Sequence, residues 1–161
     1  GKNLRNAVKD GNDMKARENM ALAQYIAGMG FSNVGLGIVH SMAHPLGARF
    51  DTPHGVANAI ILPTVMKYNM ESASLPKYRK IAEALGGNVV GLTDKEAGLL
   101  ACELVQKLSK DVGIPSTITE VGIPKEAIDQ LSVDAFNDVC TGGNPRPTSV
   151  EDIKKLYQSL L

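Results

Sequence analysis

Signals for the ends of helices occur along almost the whole chain, and they constrain its fold more than any other feature. Thr93 and Glu96 stand at the spacing of a capping box, and Ser149 precedes acidic residues that suit a first helical turn. Pro124 fits the first turn of another helix. Between these signals, apolar residues recur at helical spacing, and no alternating apolar and polar run is long enough for a convincing strand. The sequence therefore predicts an all-α fold of seven or eight helices.

Apolar periodicity, glycines and prolines give approximate bounds for these helices. We place them at 13–31, 36–46, about 54–69, 75–85, 93–112, 124–139 and from 149 onward. Ser32 and Asn33 can cap the second of these helices, which we expect to end near Pro45–Gly47. Pro63 should kink the helix that follows it in the chain.

The sequence defines the first two segments of the chain less clearly. Leu4, Ala7 and Val8 have helical spacing with no cap before them, so they form either a short helix or the tail of a helix that begins upstream. The segment 13–31 is rich in alanine and methionine and has small residues on several faces. That composition predicts a helix packed closely on more than one side.

The totals bound the class of protein. The chain has 161 residues, which suggests one domain. Its 17 basic and 17 acidic residues balance, so charge gives no support for a nucleic-acid or anionic-membrane partner. Two cysteines, Cys102 and Cys140, are too few for a disulfide framework and fit a reducing cytosol. We expect a cytoplasmic protein that binds neither nucleic acid nor membrane.

All three histidines of the chain lie between residues 35 and 55. His40 and His44 are four residues apart, which puts both imidazoles on one face of a helix, and His54 follows after a proline-containing loop. Neutral imidazole is a good ligand for Zn²⁺ and Fe²⁺. A catalytic metal usually takes three or four protein ligands, often with a carboxylate, and the nearest acid, Asp51, lies in the loop. The residues alone leave open whether the histidines pack, form a complete site or form part of one.

Two stretches of the chain resemble the signature of the iron-containing (group III) alcohol dehydrogenases. They are "AGMGFSNVGLGIVHSMAHPLGARFDTPHGVANAIILP" and, near the C-terminus, "DVCTGGNPR". The best match is the lactaldehyde reductase (propanediol oxidoreductase) branch, with the 1,3-propanediol dehydrogenase branch close behind. The resemblance covers essentially the whole chain.

The resemblance implies a domain organisation. Members of the family have an N-terminal α/β domain that binds the dinucleotide and a helical C-terminal domain that carries the metal. Residues 1–161 look like a single helical domain, the later part of that C-terminal half, truncated on its N-terminal side and without the dinucleotide-binding domain. The chain also has no glycine-rich phosphate loop.

The resemblance also implies a set of site residues. Family members hold the metal with an Asp, a His four residues later and two further His, and the last two match His40 and His54. No Asp-x3-His pair occurs in the chain. His44 matches a catalytic histidine near the nicotinamide and substrate, and so a cofactor-binding residue too. By analogy Phe31 walls the substrate pocket, and Cys140 borders it. The alternatives are an ordinary core aromatic and a small buried cysteine.

The implied parent reaction is interconversion of lactaldehyde and 1,2-propanediol by hydride transfer to and from NAD. In it, Fe²⁺ or Zn²⁺ acts as a Lewis acid on the substrate oxygen. With half of the ligand set, the chain alone should be inactive. Truncation should leave apolar surface uncovered on the chain, which predicts a homo-oligomer. Two other interpretations remain: another short-chain alcohol dehydrogenase of the same family, such as a 1,3-propanediol dehydrogenase, and a stand-alone helical metal-binding or interaction module.

Overall fold

A computed structural model describes all 161 residues. The fold is all-α, as the sequence predicts, with eight α-helices and no strand. The helices are α1 Leu4–Lys9, α2 Met14–Val34, α3 Ile38–Phe50, α4 His54–Asn69, α5 Tyr78–Ala84, α6 Asp94–Asp111, α7 Ile128–Phe136 and α8 Val150–Gln158. Four short 3₁₀ turns lie at Leu75–Lys77, Thr119–Val121, Lys125–Ala127 and Thr141–Gly143.

The predicted caps at Thr93 and Ser149 are confirmed. Each hydroxyl accepts the backbone N–H of the third residue of its helix, and the Glu96 and Asp152 carboxylates accept the N–H of the capping residue in return. Two donors that the helix cannot satisfy internally are thereby bonded at each end.

Helix α3 is the centre of the larger of two hydrophobic clusters. It packs against α4 and α7, and α7 packs against α8. Ile38, Met42 and Leu46 of α3 are fully buried there, and the buried Tyr157 of α8 donates its hydroxyl to the Met42 carbonyl. The smaller cluster joins α5 and α6 to the C-terminal end of α4. Because α3 packs against both α4 and α7, the backbone that carries its histidines is held in place.

The prediction that α3 ends near Pro45–Gly47 is wrong. Pro45 lies inside the helix, which continues to Phe50 and ends at Asp51 in the left-handed conformation, φ 53°. Pro45 and Leu46 are both buried in the core. The free energy gained by burying this turn outweighs the cost of the backbone hydrogen bond that proline cannot donate.

The predicted cap at Ser32 and Asn33 is also wrong. Both residues belong to α2, and the Asn33 amide donates to the Met29 carbonyl at 2.7 Å within that helix. Helix α2 ends only at Gly35, whose φ of 80° is easily reached by glycine. Helix α7 in turn ends at Phe136, short of the predicted 139.

Within these residues helix α2 is not packed on several sides, and the apolar surface that we expect this chain to expose lies largely on it. Ala16 is its one buried residue, and its first half lies against α1, where Asn19 donates to Asn3. The rest of the helix is largely exposed. No single helix is long and apolar enough to cross a membrane. Helices α2 and α3, bent by 107°, pass that test of length and composition only as a pair.

Candidate metal and catalytic site

The three histidines converge at the junction of α3 and α4. His40 and His44 lie one turn apart on α3, and His54 is the first residue of α4, after a turn that the left-handed Asp51 makes possible. The ring centroids of His40 and His54 are 5.5 Å apart, and those of His44 and His54 are 5.6 Å apart and stacked. His40 and His44 are 6.1 Å apart. The pattern in the sequence therefore corresponds to one cluster in space.

Electrostatics keep His40 ready to act as a ligand. Its pKa lies below the ordinary value, first because burial disfavours the charged ring and then because protonated His54 and His44 would repel it. A neutral imidazole offers a lone pair to a metal ion. On the other side, the Asn58 amide nitrogen lies 3.1 Å from His54 Nε2 and donates to the His54 carbonyl at 2.8 Å. Two adjacent imidazoles, one of them held neutral, fit part of a divalent metal site.

A carboxylate that the sequence analysis missed lies beside the histidines. Asp138, just after α7, accepts a hydrogen bond from His44 Nδ1 at 2.8 Å through Oδ2. Its other oxygen accepts the Cys140 backbone N–H at 2.8 Å. Desolvation alone raises the pKa of Asp138, but these hydrogen bonds outweigh it and leave the pKa below its ordinary value. In the sequence, the only indication of this residue is that it opens the stretch "DVCTGGNPR".

The loop after Asp138 is tied to α4 by a pair of asparagines. Asn69 and Asn144 exchange side-chain hydrogen bonds of 2.9 Å in both directions, and Asn144 also donates to the Arg146 carbonyl. The Arg146 guanidinium lies 3.8 Å over the Tyr68 ring and donates to the Tyr68 carbonyl. These contacts hold the loop that follows Asp138 and Cys140 against the C-terminal end of α4.

Two neighbouring glycines of this loop allow a matched test. A Cβ on Gly143 would overlap the Leu36 carbonyl oxygen, whereas a Cβ on Gly142 meets nothing within 4 Å. We expect Gly143→Ala to lower the free energy of unfolding by about 1–3 kcal/mol, because backbone must move to relieve the overlap. Gly142→Ala should change it by less than about 0.5 kcal/mol. Urea unfolding followed by circular dichroism measures both, and equal values for the two variants would contradict this account.

Phe31 lies beside His40, and Cys140 lies beside the His44–Asp138 pair. The Phe31 ring centroid is 6.4 Å from that of His40, and the side chain is 46% exposed, so Phe31 is not a core aromatic here. Cys140 is half-buried and next to Asp138. Its thiol pKa is raised, first by burial and then by the Asp138 carboxylate, which keeps the thiol protonated at neutral pH.

The donor atoms closest to one another are not those of the three histidines. Nitrogen, oxygen and sulfur atoms of His44, Asp138 and Cys140 lie within 4.8 Å of each other. Within this group, the Asp138 carboxylate already accepts hydrogen bonds from His44 Nδ1 and from the Cys140 backbone N–H. The Asp138–His44 pair lies beside His40 and His54, the two histidines that the family resemblance implies as metal ligands.

Comparison with known proteins identifies the family. The model of the Fe-containing alcohol dehydrogenase family, C-terminal part, matches residues 1–161. The chain belongs to the iron-containing alcohol dehydrogenase family. Lactaldehyde reductase of Escherichia coli K12 is 56% identical over 147 residues, which are 91% of this chain and 38% of that protein. NAD-dependent methanol dehydrogenase of Bacillus methanolicus is 42% identical over 158 residues, 98% of this chain and 41% of that protein.

Solved structures of family members have the same fold. A crystal structure of 1,3-propanediol oxidoreductase matches with a TM-score of 0.96 and 40% identity, over 99% of this chain and 41% of that one. Alcohol dehydrogenase from Oenococcus oeni matches with a TM-score of 0.95 and 39% identity, over the same shares. This iron-containing alcohol dehydrogenase chain therefore spans about two fifths of the length of the relatives it matches.

Proposed function

We propose that the chain forms the helical, metal-binding part of an NAD-dependent alcohol dehydrogenase that interconverts lactaldehyde and 1,2-propanediol. The observation that carries the substrate assignment is the difference in identity. The chain is 56% identical to lactaldehyde reductase, against 42% for 1,3-propanediol dehydrogenase of Citrobacter freundii. The clustering of His40, His44 and His54 supports the assignment of a metal-dependent reaction.

The residues of the cluster would have different roles in metal binding and proton transfer. His40 and His54 would hold Fe²⁺ or Zn²⁺ together with ligands from outside this chain. When bound, the divalent ion supplies Lewis-acid polarisation of the alcohol or carbonyl oxygen. His44, which also would contact the nicotinamide of NAD, accepts the alcohol proton in oxidation and returns it in reduction. Phe31 and Cys140 would wall the substrate pocket.

The setting of the enzyme is part of the proposal. Two free cysteines suit a reducing compartment, so we place the enzyme in the cytoplasm. We propose that it works as a homo-oligomer on a small alcohol or aldehyde.

A 1,3-propanediol dehydrogenase is the second candidate. It is favoured by the TM-score of 0.96 to 1,3-propanediol oxidoreductase. The two candidates use the same metal and the same hydride chemistry, so they differ only in how the pocket places the second hydroxyl group.

A pair of chimeras separates the two candidates. In the first, this chain replaces the matching segment of E. coli lactaldehyde reductase. In the second, it replaces the matching segment of C. freundii 1,3-propanediol dehydrogenase. We expect both chimeras to bind metal and to oxidise 1,2-propanediol with NAD⁺, with kcat/KM favouring it over 1,3-propanediol by about tenfold or more.

The outcomes of this experiment are distinct. A preference for 1,3-propanediol in both chimeras would transfer the assignment to the second candidate. Two folded but inactive and metal-free chimeras would contradict the enzyme assignment. The chain alone should show neither turnover nor tight NAD binding, because it has no phosphate-binding glycine loop. One tightly held metal per isolated chain would instead support a stand-alone metal-binding module.

A further inference from the structure

The Asp138 carboxylate is fixed from two directions. Oδ2 is 2.8 Å from His44 Nδ1, and Oδ1 is 2.8 Å from the Cys140 backbone nitrogen. Thr141 adds rigidity, because its hydroxyl bridges the Ala135 carbonyl at the end of α7 and the Ser41 hydroxyl of α3. The carboxylate side chain is only 17% exposed, whereas that of His44 is 38% exposed. The arrangement holds an immobile acceptor against one edge of a more accessible ring.

This contact determines the tautomer of His44. An ionised carboxylate can accept hydrogen bonds but cannot donate them, so the shared proton must belong to Nδ1. In the neutral ring the lone pair then lies on Nε2, on the other side of the imidazole. The structure shows no other hydrogen bond to the His44 ring. The ring is therefore oriented at one nitrogen and available for chemistry at the other.

We propose that Asp138 is a positioning residue that holds His44 as the Nδ1–H tautomer, so that Nε2 is the atom that accepts and returns the substrate proton. The role given to Nε2 rests on the proposed function. The tautomer itself does not, because it follows from the contacts within this chain. In oxidation, the proton would pass from the alcohol oxygen to Nε2 and leave an imidazolium stabilised by the Asp138 carboxylate. Reduction is the reverse step.

A neighbouring ion pair shows what a merely structural contact between the same helices looks like. Asp134, one turn earlier on α7, accepts from Arg49 Nε of α3 at 2.6 Å. Both pairs join α3 to α7, and both acids are partly exposed, at 27% and 17%. Only the Asp138 pair touches an imidazole of the cluster. Asp134→Asn is therefore the matched control for Asp138→Asn.

The first test measures the tautomer directly. The chain is labelled with ¹⁵N-histidine, prepared without metal and studied by long-range ¹H–¹⁵N correlation at a pH where the rings are neutral. His44→Gln assigns the His44 signals. We expect Nδ1 of His44 to carry the proton, although a free neutral imidazole favours Nε2–H. Asp138→Asn should reverse or mix the tautomer, because an amide can turn its NH₂ group toward Nδ1. Asp134→Asn should leave the pattern unchanged.

The second test measures the consequence for turnover in the lactaldehyde reductase chimera. We expect Asp138→Asn to lower kcat by about 10- to 100-fold, part of the roughly 10²- to 10⁴-fold that general acid–base catalysis contributes, with KM and metal content nearly unchanged. Asp134→Asn should keep kcat within about twofold. This should hold even if it lowers the free energy of unfolding as much as Asp138→Asn does, or more.

The outcomes separate this inference from the proposed function. An Nε2–H signal for His44 in the unsubstituted chain would overturn it, whether or not the variants fold and whether or not the chimera is active. Equal kcat losses for Asp138→Asn and Asp134→Asn would also overturn it, since they would indicate a structural effect alone. If the chimera were inactive while the tautomer behaved as expected, the positioning would stand and the proposed dehydrogenase function would fail.

Discussion

Replacing His40 or His54 by alanine in the lactaldehyde reductase chimera should remove metal and activity together, while replacing His44 should remove activity alone. The His40 and His54 rings are adjacent, with centroids 5.5 Å apart, and they match the two ligand histidines of the family, so each ring would supply a metal ligand. We expect turnover to fall by more than about a hundredfold, since even outer-shell changes cost up to that much. His44 is instead engaged at Nδ1 by Asp138. His44→Ala should therefore retain metal while losing turnover.

Metal content by elemental analysis and kcat on the same preparations test this division. Arg49→Ala is the control, because Arg49 lies on α3 near the cluster and pairs with Asp134 rather than with a histidine. It should keep both metal and turnover. A His44→Ala enzyme as empty of metal as His40→Ala would show that the roles are wrongly assigned.

Local signals of the sequence predicted helices well, and they failed where packing decided the boundary. The capping boxes at Thr93 and Ser149 are complete within four residues, so they can be read from the sequence. Pro45 carries the opposite local signal, yet α3 runs through it because Pro45 and Leu46 are buried between α4 and α7. That burial depends on distant residues, and no pattern within α3 reveals it.

The candidate site divides in the same way. His40 and His44 share a face because of their spacing, and the Pro53 turn brings His54 back to them. Asp138 is 94 residues away from His44 in sequence, so their contact exists only once α7 has packed on α3. The resemblance of "DVCTGGNPR" to the family motif pointed to Cys140 as a site residue. It did not point to Asp138 in the same motif.

We expect this chain to self-associate at micromolar concentration through the exposed side of α2. Leu22, Tyr25, Ile26 and Met29 follow the spacing i, i+3, i+4, i+7, which places them in one stripe along the helix. Each is between 54% and 63% exposed. A contiguous apolar stripe of this kind on a helix surface often marks an interaction surface.

Charge placed in the stripe should abolish the association. In the variant Leu22→Lys/Ile26→Lys, two like charges one turn apart would have to be desolvated in any apolar contact, which is costly. Both positions are exposed, and lysine is a good helix former, so far-UV circular dichroism and the free energy of unfolding of the monomer should change little. Sedimentation equilibrium should show the unsubstituted chain above its monomer mass and this variant at the monomer mass.

A single exposed valine elsewhere provides the matched control. Val90 is 86% exposed and lies far along the chain from α2, so Val90→Lys adds one positive charge, half the charge change of the α2 variant, outside the stripe. It should associate like the unsubstituted chain. If Val90→Lys dissociated the assembly as fully as the α2 variant, net charge rather than the stripe would be responsible. If the unsubstituted chain were already a monomer, α2 would be a solvated helix whose apolar face drives no association between copies, and the contact that unites a homo-oligomer would have to lie on another surface.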